Sequence, residues 1–183
     1  MCEGRIRVWV GTMYSGKTTA LLEYVMMRGD KTQAFKPAQD TRDDRDTIFA
    51  RGGIGISATR VAHAGEILEF VDEGTEVVVV DEAFMLPGIV SVAQILRRKG
   101  LEVCLASIAL KWDGTPFRNV AELLCYADHV VVCDEAKCTC GARASYNRAL
   151  LPMEEDIVPG DGERYAPQCA RCFVKPLPGV SDG

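Results

Sequence analysis

Apolar and polar positions divide the chain into two regimes. Through about residue 133, short apolar runs alternate with stretches at helical spacing. Ile6–Val10 is an apolar run that stops at Gly11 and reads as a strand. Thr18–Met27 follows with Ala20, Leu21, Tyr24 and Val25 at helical spacing. Gln33–Lys36 fits a second strand, stopped by Pro37, and the charge-rich Gln39–Asp46 reads as an exposed loop. The segment from the paired glycines 52 and 53 through Ala58 is flexible and compatible with a hairpin. Ala64–Val71 reads as a helix. Val77–Val80, four valines in a row, suits a strand buried on both faces of a parallel sheet. Ile89–Arg98 is helical, with arginines near its end that suit the helix dipole. Leu101–Leu110 returns to strand, Asn119–Tyr126 to helix and His129–Cys133 to strand.

This alternation predicts an α/β fold, a mostly parallel, doubly wound sheet. Beyond Cys133, cysteine, glycine, proline and charge replace the apolar periodicity. Two domains are therefore expected, one over residues 1–133 and a small one over residues 134–183.

Composition narrows the setting. Of 183 residues, 48% are hydrophobic, enough for a packed core. No apolar run approaches the roughly 20 residues of a membrane span. The first eight residues lack the basic-then-apolar layout of a secretion signal. A cytoplasmic protein is expected, without a membrane partner. The net charge of −5 and pI near 5.1 speak against a nucleic-acid backbone as main partner.

The segment Gly11–Thr18 reads GTMYSGKT and fits the phosphate-loop pattern GxxxxGK(S/T) at every defined position. It also follows a predicted strand and opens a predicted helix, as the motif requires. Its residues Gly11, Thr12, Met13, Tyr14, Ser15 and Gly16 would turn backbone N–H groups toward a triphosphate such as ATP. Lys17 would reach the β- and γ-phosphates, and the Thr18 hydroxyl would help hold Mg²⁺. Asp81, ending the valine strand, is placed to orient Mg²⁺, and Glu82 beyond it is free to face a substrate.

Eight cysteines in a reducing compartment read as thiols or metal ligands rather than disulfides. Cys104 and Cys125 lie in apolar runs and read as small core residues. Cys138 and Cys140 form a CxC pair, and Cys169 and Cys172 a CxxC pair. Four such thiolates can hold a structural Zn²⁺ tetrahedrally and staple a segment poor in apolar anchors. Cys133 stands as a substitute ligand, because CxC is a less usual zinc spacing.

These parts, in this order, resemble the type II thymidine kinases, small phosphate-loop kinases with a zinc-bearing lid. The phosphate loop with Met13 resembles the family's GPMFSGKS. Lys36–Arg42 (KPAQDTR) resembles KPxxDxR, and Arg51–Gly53 falls at a turn of His/Arg-x-Gly type. Asp81–Ala83 matches a DEA strand end, Pro116 and Phe117 a substrate-loop PF. Gly160–Cys172 resembles GGxExYxxxCRxC. The resemblance implies thymidine kinase activity, with ATP donating to the 5′-hydroxyl of a deoxynucleoside. It implies Glu82 as the catalytic base and Lys17, Thr18, Asp40, Arg42 and Asp81 at the triphosphate and Mg²⁺. It places Met13, Trp112, Phe117 and Tyr165 at the nucleoside, under a C-terminal zinc-ribbon lid, in a homotetramer.

The chain departs from the family at four points. Phe84 stands where the family has a glutamine, and Ala109 where it has an acid. Lys137 occupies the expected position of the first lid cysteine, and Asp161 that of a glycine. These changes leave a second reading open, a relative that binds ATP but is catalytically impaired or regulatory. Trp112 and Phe117 also read as edges of a core, and Phe84 as packing. His63 and His129 match no catalytic spacing.

Overall fold

The computed structural model describes residues 4–41, 45–50, 53–153, 157 and 162–174. Arg42, Arg51 and Asp161, singled out above, lie outside the described residues. Among the described residues, seven strands form one sheet. They are β1 (Arg5–Val10), β2 (Thr32–Pro37), β3 (Thr47–Phe49), β4 (Gly55–Val61), β5 (Val77–Val80), β6 (Glu102–Ser107) and β7 (His129–Val132), in the order β3-β4-β2-β5-β6-β1-β7. Every pairing is parallel except β3 with β4. The predicted doubly wound α/β architecture is therefore present, with one short antiparallel edge.

Side-chain alternation explains why both faces need cover. Val78 and Val80 of β5 point into one apolar cluster with Val8, Val10, Val103 and Leu105. Val77 and Val79 point into the other with Trp9, Cys104 and Ala106. Helix α1 (Lys17–Arg28) covers the second face with Leu21, Leu22 and Val25. The short α2 (Ile67–Phe70), α3 (Ile89–Arg98) and α4 (Arg118–Tyr126) cover the first, through Ile67, Leu96, Val120 and Leu123. A strand sandwiched between two cores has no polar face, which is why β5 reads as unbroken valine.

Four local expectations are corrected. The helix expected over Ala64–Val71 is a 3₁₀ turn followed by the single turn α2. β6 ends at Ser107, and the following chain forms a loop closed by a bridge between Leu110 and Pro116. Asp40 lies within the loop expected to be exposed, yet it is buried. Cys104 is a core residue as read, but Cys125 is exposed on α4.

Past β7 the chain forms a separate two-stranded antiparallel sheet of β8 (Tyr146–Ala149) and β9 (Tyr165–Gln168), then the short α5 (Ala170–Phe173). Tyr146 stacks on Phe173 at 4.4 Å between ring centroids, joining β8 to α5.

Candidate active site

The carboxyl ends of β1, β2 and β5 and the small sheet surround one cavity of about 450 Å³. Its floor is the phosphate loop between β1 and α1. Gly16 adopts φ +84°, and Gly11 lies so close to the chain after β7 that a Cβ would approach the Cys133 carbonyl oxygen to 2.4 Å. Both positions therefore need glycine. The Lys17 ammonium, almost fully buried, donates to the Thr12 carbonyl at 2.7 Å.

Thr18 and Asp81 meet across the floor. The Thr18 hydroxyl donates to the Asp81 carboxylate, 3.2 Å from Oδ2. Asp81 Oδ1 accepts the Glu82 N–H at 3.0 Å. Hydroxyl and carboxylate oxygens at this spacing are the hard donors that Mg²⁺ takes. Glu82 is buried beside them, at the start of the 3₁₀ turn Ala83–Met85. Among the described residues, Tyr14 (φ 63°) and Glu82 (φ 49°) are the non-glycine residues in left-handed backbone, and both line the cavity. Such strain concentrates at functional positions.

Opposite the phosphate loop the wall is apolar. Phe84 packs on Phe117 with ring centroids 4.8 Å apart, and Trp112 and Tyr165 border the same space. Phe117 thus belongs both to the core and to the cavity wall. Met13, Tyr14, Ser15, Gly16, Lys17, Thr18, Asp40, Asp81, Glu82, Trp112, Phe117 and Tyr165 all open into this one cavity. Gly11 and Thr12 do not; they border a smaller space of about 170 Å³ behind the loop, with Ala109.

Several cavity residues escaped the sequence reading, among them Lys36, Glu135 and Asn147. Lys36 is buried, its ammonium donating to the carbonyls of Arg45 (2.6 Å) and Thr47 (3.2 Å). It stood in the KPAQDTR segment without a role. Glu135 and Asn147 come from beyond β7 and carry no sequence signal, since nothing in their spacing ties them to a loop over a hundred residues earlier.

The sulfurs of Cys138, Cys140, Cys169 and Cys172 lie within 4.8 Å of one another, and Cys140 and Cys169 are 3.7 Å apart. Tetrahedral zinc–thiolate geometry puts sulfurs about 3.8 Å apart, so the donor set fits that ion. Cys133 is not in this group; it lies behind the phosphate loop. Backbone N–H donors of Cys140 and Cys169 hold the Cys138 thiol down at about 6. Cys172 is pushed up to about 12 by its hydrogen bonds to the neighbouring sulfurs, led by Cys140. Four sulfurs this close cannot all ionise without a cation among them.

Two comparisons bear on this arrangement. The sequence model of the thymidine kinase family matches residues 4–173. A thymidine kinase of Bacteroides thetaiotaomicron is 30% identical over 177 residues, covering 94% of this chain and 88% of that relative. Agreement that runs from β1 through the cysteine cluster takes in the phosphate loop, the valine strand and the small sheet alike, and the chain belongs to the thymidine kinase family.

Proposed function

We propose that the protein transfers the γ-phosphoryl group of ATP to the 5′-hydroxyl of thymidine. The observation that carries this reading is that Glu82 and the phosphate loop open into one cavity, with Thr18 and Asp81 between them. Phosphoryl transfer needs positioning and charge neutralisation more than covalent help. The backbone of Met13–Thr18 and the Lys17 ammonium would hold the β- and γ-phosphates, supported by Asp40 and Arg42. Thr18 and Asp81 would hold Mg²⁺, which when bound neutralises charge on the phosphate oxygens. Met13, Trp112, Phe117 and Tyr165 would sandwich the nucleoside. Glu82 would accept the 5′-hydroxyl proton as the new O–P bond forms and the bond from the γ-phosphorus to the bridging oxygen of ADP breaks.

With labelled ATP and a panel of nucleosides, thymidine is expected to give a labelled monophosphate. No monophosphate from any nucleoside would reject the reading in favour of an ATP-binding relative without turnover.

The residues from 134 onward act in this reading as a lid, which keeps water from competing as acceptor. Cys138, Cys140, Cys169 and Cys172 would hold one structural zinc there. Metal analysis should find about one zinc per chain. Cys169→Ser should lose it and loosen the bond from Arg148 to the Phe173 carbonyl, while the seven-stranded sheet keeps its circular dichroism. Retained zinc in that variant would remove the claim.

Self-association, as a homotetramer by the family resemblance, is supported by the exposed apolar side chains of Val130 and Val132 on the edge strand β7 and of Tyr126 at the end of α4. Among the described residues no helix is long and apolar enough to cross a membrane, and a reducing cytoplasm would keep the thiols available as ligands.

A further inference from the structure

Four consecutive residues of the phosphate loop touch the segment beyond β7. The Met13 N–H donates to Asn147 Oδ1 at 2.8 Å. Gly162 lies against the Tyr14 hydroxyl, which would be 3.1 Å from a Cβ placed there. The Glu135 N–H faces the Ser15 carbonyl at 3.5 Å. The Glu135 carboxylate packs on Gly16, within 2.6 Å of where a Cβ would sit.

Among these contacts the one to Asn147 is directional and ends on a buried residue. Its side chain is 4% exposed, and it accepts from a backbone N–H of the very loop that would cradle phosphate. It sits on β8, whose partner β9 begins with Tyr165. Asn147 pairs with Pro167, and Ala149 with Tyr165. One small sheet therefore presents Tyr165 to the nucleoside side of the cavity and Asn147 to the triphosphate side. Cys169, directly after β9, anchors the same unit to the cysteine cluster.

We infer that Asn147 is a positioning residue that couples nucleoside binding under the lid to triphosphate binding at the phosphate loop. A nucleoside that fixes Tyr165 fixes β9 and β8, and with them the acceptor that orients the Met13 N–H. A triphosphate that orders the loop fixes the same bond from the other end. Coupling of this kind is reciprocal: each ligand must tighten the other by the same factor. This inference rests on the proposed function, which supplies the two ligands.

The test is calorimetry on the zinc-loaded protein with Mg²⁺ and a non-hydrolysable ATP analogue, with and without saturating thymidine. In the native protein thymidine should tighten the analogue by about five-fold or more, a modest coupling by the usual scale. Asn147→Leu keeps the branched shape, at a larger volume, but removes the acceptor. Whatever it does to the affinity for each ligand alone, the coupling factor should fall toward one. Asn147→Asp restores the acceptor and should restore the factor, because any repulsion of the triphosphate enters both measurements and cancels in the ratio. If the leucine variant does not fold, Asn147→Ala carries the same expectation. A merely structural role would lower both affinities or the zinc content and leave the factor unchanged, which overturns the inference, as does a native factor of one with both ligands bound. Failure of the native protein to bind thymidine overturns the proposed function, and the inference with it.

Discussion

Lys17→Ala should abolish measurable ATP binding, weakening it by at least about 100-fold in calorimetry. The ammonium is buried at the start of α1, held on the Thr12 carbonyl at the mouth of the loop. A charge-assisted bond to phosphate contributes about 1.5–3 kcal/mol, and Lys17 can make more than one. Removal also takes one cation from the phosphate charge in a partly buried site, leaving it to the backbone dipoles, Mg²⁺ and Arg42. Alanine is a good helix former, so α1 should persist and the loss should be one of affinity rather than of fold. A melting temperature near native and an ATP affinity unchanged within error would together remove Gly11–Thr18 as the triphosphate site.

Glu82→Gln is expected to lower kcat by about 10²–10⁴ while both substrates still bind, the range typical of losing a positioned general base. Glutamine has nearly the same shape, so the buried side chain keeps its place beside Asp81. What disappears is the capacity to take the hydroxyl proton. The split between kcat and KM is the informative reading. An unchanged kcat would remove Glu82 as the base. A higher KM with kcat preserved would make it a binding group instead.

What the sequence showed depended on how local each signal was. β1, the phosphate loop and α1 are contiguous, and the motif carries its own context. β5 was legible because two-sided burial leaves a run of one residue type. β3, β8 and β9 are three or four residues long, too short for a period to show, and they exist through their pairing, β3 with the neighbouring β4 and β8 with β9. Asp40 stood in a run of charge that composition assigns to solvent, and only the family resemblance singled it out. Its burial follows from the turn after β2, where its N–H donates to the Pro37 carbonyl. Asn147 had no local mark at all, since its partner is Met13. Phe84, a departure from the family pattern, proves to pack against Phe117 and to make the wall it shares more apolar.

The left-handed backbone at Tyr14 and Glu82 has a consequence for anyone seeking hardier versions of this protein. A side chain in that conformation costs about 1–2 kcal/mol relative to glycine. Both residues face the cavity. Selection for heat resistance alone would therefore be drawn to these two positions, and at Glu82 it would trade away the carboxylate proposed above as the catalytic base. Robustness and catalysis pull against each other in this chain at residues that can be named in advance.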